Sequence, residues 1–265
     1  MFINERFKRK ILVYDLYGNF KRSINHKDSV MYKRIFNYDK NNLICDDGSY
    51  YAEGERNEQS FFIISKKDGS IVNEIKISFK QEKSTFLTVT DENRMEVMGY
   101  INHSITPYKG KWILSVPSSD TVYRYISGQN ITPFIVRKPS IQSMDPEVFL
   151  NMGIFTDNYY FLGIAKKEYD FKKHEGFPKK YFMYDRQKNK IYDYSVLNDD
   201  YTDKKNVILD FSHVSNDEIA FCSRIEVHAL IEAYGKEELK GKLKEIAAGL
   251  DEDSNPVIML VKHKL

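Results

Sequence analysis

The amino-acid sequence predicts an all-β fold, and three observations lead to that prediction. Aromatic residues are abundant, with 19 Tyr and 17 Phe in 265 residues, and such side chains suit the half-buried surface of a pleated sheet. Short apolar runs are separated by clusters of turn-forming residues along most of the chain. Two kinds of hairpin also recur in alternation, which predicts a repeated architecture.

The first kind of hairpin has an aromatic-rich strand, a tight turn and a second strand. Its four copies are KILVYDLYGNFKRSI, SFFIISKKDGSIVNEIKI, TVYRYISGQNITPFIV and KYFMYDRQKNKIYDYSV. Their turns contain Gly18, Gly69, Gly128 and Asn189. Glycine and asparagine tolerate the positive φ angles that tight hairpins require. Each copy is therefore predicted to be one antiparallel strand pair.

The second kind of hairpin lies between copies of the first. Its copies are YKRIFNYDKNNLICDD, HSITPYKGKWILSVP, GIFTDNYYFLGIAK and VILDFSHVSNDEIAFCS. One such hairpin (strands a and b) followed by one of the first kind (strands c and d) makes a four-stranded antiparallel blade, and radial repetition of blades makes a β-propeller. The inner strands are the more continuously apolar, so we expect them to be buried between neighbouring blades.

Residues 1–265 are predicted to be one propeller domain that is incomplete at its N-terminus. The chain opens at the b-to-c connection of a blade, so that three blades are complete and two are partial. Closed propellers have about four to eight blades, and closure protects their edge strands. We therefore expect residues to be missing before Met1, by truncation or gene fragmentation. Residues 79–100 are predicted to be a long d-to-a connection with an extra hairpin around residues 91–93.

The C-terminal segment interrupts the hairpin pattern. Residues 226–250 predict one or two helices inserted in the last blade, and Gly249 can end the last helix. The expected apolar stripe comprises Leu239, Leu243, Ile246 and Leu250. Glu238 is placed for an i,i+4 ion pair with Lys242. The closing NPVIMLVKHKL predicts a strand that completes the last blade or extends the edge of the first.

Charge and hydropathy exclude two classes of partner. With 40 basic and 38 acidic residues the formal net charge is +2, so no sustained positive surface for nucleic acid is predicted. No apolar run approaches the roughly 20 residues that a transmembrane helix needs, and the first residues do not resemble a signal peptide. Cys45 and Cys222 hold equivalent places in non-adjacent blades, beyond the ~7 Å reach of a disulfide. They are predicted to be buried thiols.

Individual segments resemble known propeller repeats. The hairpin ILVYDLYGNFKRSI resembles the NHL-type repeat, and the ending LKEIAAGLDEDSNPVIMLVKHKL, after SDTVYRY, is similar to a six-bladed β-propeller family of uncharacterised exported bacterial proteins with NHL or TolB-like repeats. The resemblance covers nearly the whole chain. It implies a periplasmic or outer-surface location, since many members are lipoproteins, and it supplies no catalytic residue. The chain departs from the family in lacking the signal, the lipid-bearing cysteine and about one and a half blades.

The longer b-to-c and d-to-a connections gather on one face of such a fold, where binding residues are expected. Aromatic and charged loop residues can stack on or contact a sugar or peptide. We predict that the ligand-binding residues are Tyr50, Tyr51, Glu53, Arg56, Tyr169, Phe171, His174 and Phe177. The preferred hypothesis is a non-catalytic propeller that binds a glycan or an envelope protein, and a solvated loop without a ligand is the alternative.

A second hypothesis is a metal-dependent lactonase or lyase, because propeller enzymes related to the NHL class hold a metal at the axis. The candidate metal ligands are Asn102, His103, Asp210 and His213. These residues do not occupy matching repeat positions, whereas a catalytic metal needs three or more convergent ligands. The sequence also lacks the usual motifs for nucleophilic, zinc or phosphate chemistry. It therefore favours binding over catalysis and predicts no cofactor.

Overall fold

The computed structural model describes residues 1–27, 30–49, 54–90, 95–128, 131–209 and 219–262. The chain divides into two compact units. The first unit comprises Met1–Ile105 and Ile113–Glu147, and the second comprises Thr106–Trp112 and Val148–Leu265.

Antiparallel sheets dominate the first part of the chain. A three-stranded sheet contains β1 (Phe2–Glu5), β2 (Lys10–Tyr14) and β3 (Phe20–Asn25). A four-stranded sheet contains β4 (Tyr32–Asn37), β5 (Asn42–Asp47), β6 (Glu58–Ser65) and β7 (Ile71–Ser78). The separate hairpin consists of β8 (Phe86–Thr90) and β9 (Met95–Gly99). The next four-stranded sheet contains β10 (Ile105–Tyr108), β11 (Lys111–Leu114), β12 (Thr121–Tyr125) and β13 (Thr132–Val136), followed by a 3₁₀ turn at Ile141–Ser143.

The rest of the chain repeats this plan and then adds helices. A four-stranded sheet contains β14 (Val148–Phe155), β15 (Tyr159–Lys166), β18 (Lys179–Asp185) and β19 (Lys190–Asp193), with the small hairpin β16 (Tyr169–Asp170) and β17 (Glu175–Gly176) between β15 and β18. Two further strand pairs are β20 (Val196–Asn198) with β21 (Lys205–Val207) and β22 (Ile219–Ile225) with β23 (Val257–Lys262). The helices are α1 (Val227–Gly235) and α2 (Gly241–Ala247).

The four copies of the first hairpin kind are confirmed as β2–β3, β6–β7, β12–β13 and β18–β19, each an antiparallel pair. The predicted turn residues adopt positive φ: Gly18 at 83°, Gly69 at 80°, Gly128 at 68° and Asn189 at 54°. The predicted hairpin within residues 79–100 is also present, since Thr90 pairs with Met95. Its predicted tip around residues 91–93 lies outside the described residues.

The first strand differs from expectation. Residues before Lys10 were predicted to be a connection, but Phe2–Glu5 form β1 and pair antiparallel with β2. A strand of four residues is too short to show the period-2 pattern by which strands are recognised. The side-chain amide of Asn4 also donates to the Tyr32 carbonyl oxygen at 2.9 Å, which joins this strand to the next sheet.

The predicted burial of strands a and b, with strands c and d more exposed, holds in one four-stranded sheet and fails in another. Most buried residues of the β14–β19 sheet lie in its a and b strands, β14 and β15, and β19 is exposed throughout. In the β4–β7 sheet the two central strands, β5 and β6, are the most buried, whereas the a strand β4 has one buried residue. Between the first two sheets Ile11 and Ile24 pack with Leu43, Cys45 and Phe62 in one cluster. Fully burying such side chains stabilises the fold by about 1.5–3 kcal/mol each.

The C-terminal strand β23 pairs with β22, Ile225 lying opposite Val257. Both helices lie between these two strands in sequence. Leu239 and Leu243 are buried against Tyr201, as the predicted stripe requires.

Two details of the helical prediction are wrong. Ile246 is 37% exposed, and Lys242 pairs with Glu245 at 3.0 Å instead of with Glu238. The predicted ion pair is lost because the helix is broken: Glu238 lies outside α1 and α2, and Gly241 has a φ of 56°. Ile246 is exposed for a different reason: the buried side chains of α2 are Leu243 and Ala247, and Ile246 lies at the edge of the face that they define.

Cys45 is buried and Cys222 is half-buried, and both are thiols rather than a disulfide. Burial, with the Asp46 carboxylate as a second cause, raises the pKa of the Cys45 thiol well above its usual value. Within the part of the chain that the structure describes, neither helix has the length and apolar composition to span a bilayer.

Candidate functional site

A polar cavity of about 260 Å³ lies in the first unit, and we call it the Arg56 pocket. Three connections border it: the b-to-c connection after β5, the b-to-c connection after β11, and the d-to-a segments on either side of the β8–β9 hairpin. Its charged lining residues are Arg6, Lys33, Asp46, Asp47, Arg56, Glu82 and Lys83. Ligand sites commonly form where loops carried by a rigid sheet converge.

Arg56 organises the acidic side of the pocket. Its Nη2 and Nε lie 2.7 and 3.1 Å from Glu82 Oε1, and its Nη1 lies 3.4 Å from Asp47 Oδ2. The side chains of Arg56 and Glu82 are each only 16% exposed. A charge in such a position is costly without its partner, so the pair holds both side chains in fixed positions on the pocket wall.

Two acceptor atoms in this wall have no donor among the residues that the structure describes. They are Glu82 Oε2 and Asn102 Oδ1, and both atoms are buried. Asn102 is 3% exposed, and its amide nitrogen donates to the Ser115 carbonyl oxygen at 3.2 Å, which fixes the orientation of the group. Leaving a buried acceptor unsatisfied costs about 1–3 kcal/mol. Both residues line the pocket, so a ligand with hydrogen-bond donors would recover that free energy where a small shift of the pocket wall uncovers the two atoms.

The floor of the pocket is rigid. Asp46 is wholly buried; its Oδ1 accepts from the Arg34 backbone amide at 2.8 Å, and its Oδ2 accepts from the Ser104 hydroxyl. Lys33 stands beside it, and desolvation lowers the pKa of the Lys33 ammonium group against the opposing effect of Asp46. The Asp46 carboxylate is therefore part of the scaffold.

The predicted site residues fall into three groups. Arg56 lies in the pocket. Tyr50, Tyr51 and Glu53 lie outside the described residues. The remaining predicted residues belong to the second unit, in the connection between β15 and β18: Tyr169, Phe171, His174 and Phe177.

In the second unit only part of the predicted surface is accessible. Tyr169 and Phe171 meet edge to face at 4.8 Å, and Phe171 is 69% exposed. His174 is exposed, with a φ of 52°. Phe177 is buried against Phe149 at 6.3 Å between ring centroids. Its prediction as a ligand-stacking residue is corrected, because its ring belongs to the core of this unit.

The alternative metal site is not assembled in the described part of the chain. Asp210 and His213 lie outside it, and Asn102 belongs to the wall described above. His103 Nδ1 lies 2.6 Å from Arg34 Nη1, and a guanidinium cation at this distance opposes the binding of a metal cation. Within residues 1–27, 30–49, 54–90, 95–128, 131–209 and 219–262, no group of three or more His, Cys, Asp or Glu side chains can hold a metal ion.

Glu82 and Lys33 line the pocket but were not among the predicted site residues. Glu82 lies in residues 79–100, which do not follow the repeat, so nothing marks its position in the fold. Lys33 lies in strand β4, whose sequence YKRIFN has no feature that marks a lysine as a pocket residue. The only signal in the sequence was the polar run QEKST before β8, which is longer than a hairpin needs.

Comparison with protein families gives a match over residues 1–221 to the family model DUF5128, described as a 6-bladed beta-propeller. This range includes every residue that lines the Arg56 pocket. A search of curated proteins found no match.

Proposed function

The chain belongs to this six-bladed β-propeller family, and from that premise we propose that it is a non-catalytic protein that binds a sugar in the Arg56 pocket. The sequence hypothesis of a glycan or envelope-protein partner is thereby narrowed to a glycan. The envelope setting implied by the sequence resemblance is part of the same proposal, although the pocket chemistry does not depend on it.

The two buried acceptors carry the proposal. Glu82 Oε2 and Asn102 Oδ1 lack donors within the described residues, and each hydroxyl of a sugar can donate one hydrogen bond while accepting others. Arg56 and Lys83 supply donors in the same wall. A ligand with many hydroxyl groups therefore matches both kinds of group at once.

The size and rim of the pocket agree with a small sugar. At about 260 Å³ the cavity is smaller than the roughly 300–1,000 Å³ of sites for drug-sized ligands. Phe86 and Tyr100 also line it, and Phe86 is 45% exposed. An exposed ring of this kind can cover the apolar face of a sugar ring.

The arrangement of carboxylates supports binding without hydrolysis. Glycoside hydrolysis needs one carboxyl group that donates a proton and a second that acts as base or nucleophile. Here Glu82 and Asp47 both interact with Arg56, and Asp46 is bonded to the scaffold. None of the three is free to act as the proton donor.

Isothermal titration of the full chain with mono- and disaccharides tests the proposal. We expect wild-type protein to bind at least one of them, and Glu82→Gln to weaken that binding by about tenfold or more, since a hydrogen bond to a charged group is worth about 1.5–3 kcal/mol. Glu245→Gln is the matched control, because Glu245 lies on α2 and its side chain is 70% exposed.

Should Glu82→Gln fail to fold, Asn102→Ser replaces it, because this change removes the other acceptor and leaves the charges intact. Circular dichroism checks the fold of each variant. Wild-type protein that binds no saccharide, or equal affinity in wild type and a folded variant, would contradict the proposal.

A further inference from the structure

The cations of the Arg56 pocket differ in whether they have a counter-ion. Arg56 is matched by Glu82 and Asp47. Lys83 pairs with Glu147 at 3.5 Å, and both side chains are 14% exposed.

Lys33 has no matching partner. Its ammonium group makes no hydrogen bond or ion pair within the described part of the chain, although Asp46 is close enough to act on it electrostatically. Asp46 already accepts from the Arg34 amide and the Ser104 hydroxyl.

The backbone around Lys33 keeps water from its stem. Gly48 lies so close that a Cβ on it would be 2.5 Å from Lys33 Cβ. Desolvation is the main cause of the lowered pKa of Lys33, which means that the Asp46 carboxylate does not fully offset the burial of the ammonium ion. Lys33 is one of the residues that line the pocket.

We infer that the sugar bound in the Arg56 pocket is acidic, and that Lys33 is the counter-ion of its carboxylate. This inference rests on the proposed function and adds the substrate class to it. A uronic acid carries hydroxyl groups for Glu82 and Asn102 and a carboxylate for Lys33 on one ring. A neutral sugar satisfies the two acceptors and leaves Lys33 without a partner.

The test compares matched sugars on the full chain by isothermal titration: glucuronate against glucose, and galacturonate against galactose. We expect the acid of at least one pair to bind about tenfold or more tightly, as a charge-assisted hydrogen bond in a desolvated site requires. Lys33→Met keeps the stem and removes the charge, so it should abolish the preference for the acid, measured as the ratio of the two affinities within that variant. Lys33→Arg should restore part of the preference.

Lys242→Met is the control, since the Lys242 side chain is 78% exposed on α2. Equal binding of acid and neutral sugar by wild-type protein overturns this inference and leaves the proposed function standing. Binding of neither overturns both. A preference for the acid that persists in Lys33→Met also overturns the inference, and the wild-type comparison decides the question even where Lys33→Met does not fold.

Discussion

His26 Nδ1 accepts a hydrogen bond from the backbone amide of Tyr32 at 3.2 Å. Because a backbone amide can only donate, this contact leaves Nδ1 without a proton and places the ring proton on Nε2. His26 Nε2 lies 2.9 Å from Asn4 Oδ1, which accepts the hydrogen bond from the Nε2 proton. The imidazole is 6% exposed, and its centroid lies 4.5 Å from that of the Tyr32 ring, with the two planes tilted by 41°. The surroundings therefore require the neutral ring.

We expect the stability of the protein to fall in mild acid because of His26. Burial, with Arg9 as a second cause, lowers the pKa of His26 from 6.5 to about 4. The unfolded chain takes up the proton first, so the stabilisation is complete above pH 6.5 and is lost as the pH falls toward 4. Between pH 7.5 and pH 5 the free energy of unfolding should decrease by about 2 kcal/mol.

Urea unfolding at the two pH values measures this change, with His26→Gln as the comparison. Glutamine does not titrate, so the variant should lose about 2 kcal/mol less than wild type over the same interval. Identical pH dependence in the two proteins would show that His26 is not responsible.

Two turn glycines should respond differently to alanine. Gly18 and Gly69 have φ of 83° and 80°, so either substitution costs about 1–2 kcal/mol in backbone strain. A Cβ at Gly18 meets no atom within 4 Å, whereas a Cβ at Gly69 would lie 2.3 Å from Ile24 Cγ2. Gly69→Ala should therefore be destabilised by about 3 kcal/mol or more, since overpacking adds about 1–3 kcal/mol. Chemical denaturation of the two variants measures the difference, and equal losses would contradict the close approach.

Two phenylalanines in the β15–β18 connection should have opposite roles. Phe177 is 5% exposed and Phe171 is 69% exposed. Phe177→Ala should lower the free energy of unfolding by about 3–5 kcal/mol, whereas Phe171→Ala should change it by about 0.5 kcal/mol or less. Thermal melts of both variants check this. A Phe171→Ala variant that is as unstable as Phe177→Ala would place both rings in the core.

The two thiols should differ in reactivity. Cys45 has an exposed fraction of zero and a raised pKa, whereas Cys222 is half-buried. Because the thiolate is the nucleophile, native protein at pH 8 should alkylate at Cys222 well before Cys45, as followed by mass spectrometry with iodoacetamide. Urea should equalise the two rates. Rapid labelling of Cys45 in native protein would mean that the core of the first two sheets opens readily.

The hairpins of the blades could be predicted because the residues that determine each hairpin are close together in the sequence. Each turn residue such as Gly69 or Asn189 lies within a few positions of the strands it joins, and alternation of side chains reports the buried face directly. The break at Gly241 was harder to predict, since a glycine within a helical pattern does not show whether the helix continues. The predicted ion pair between Glu238 and Lys242 depended on that choice.

The pocket could be predicted only in part because its contacts are distant in sequence. Arg56 was recognised as a charged loop residue, but its partner Glu82 is 26 positions away in a segment outside the repeat. Lys33 and Gly48 meet through the pairing of β4 with β5, and nothing local marks that approach. The sequence showed that Phe177 is an aromatic residue in a loop, but it did not show whether the ring points to solvent or into the core.

The pairing of Ile225 with Val257 means that the chain leaves the last sheet and returns to it at adjacent points. The segment between these residues is thus an insertion whose two ends are held side by side by the strand pairing. Its length and content are uncoupled from the spacing of the strands, so a much shorter turn, or a different folded module, would fit the same pair of anchors.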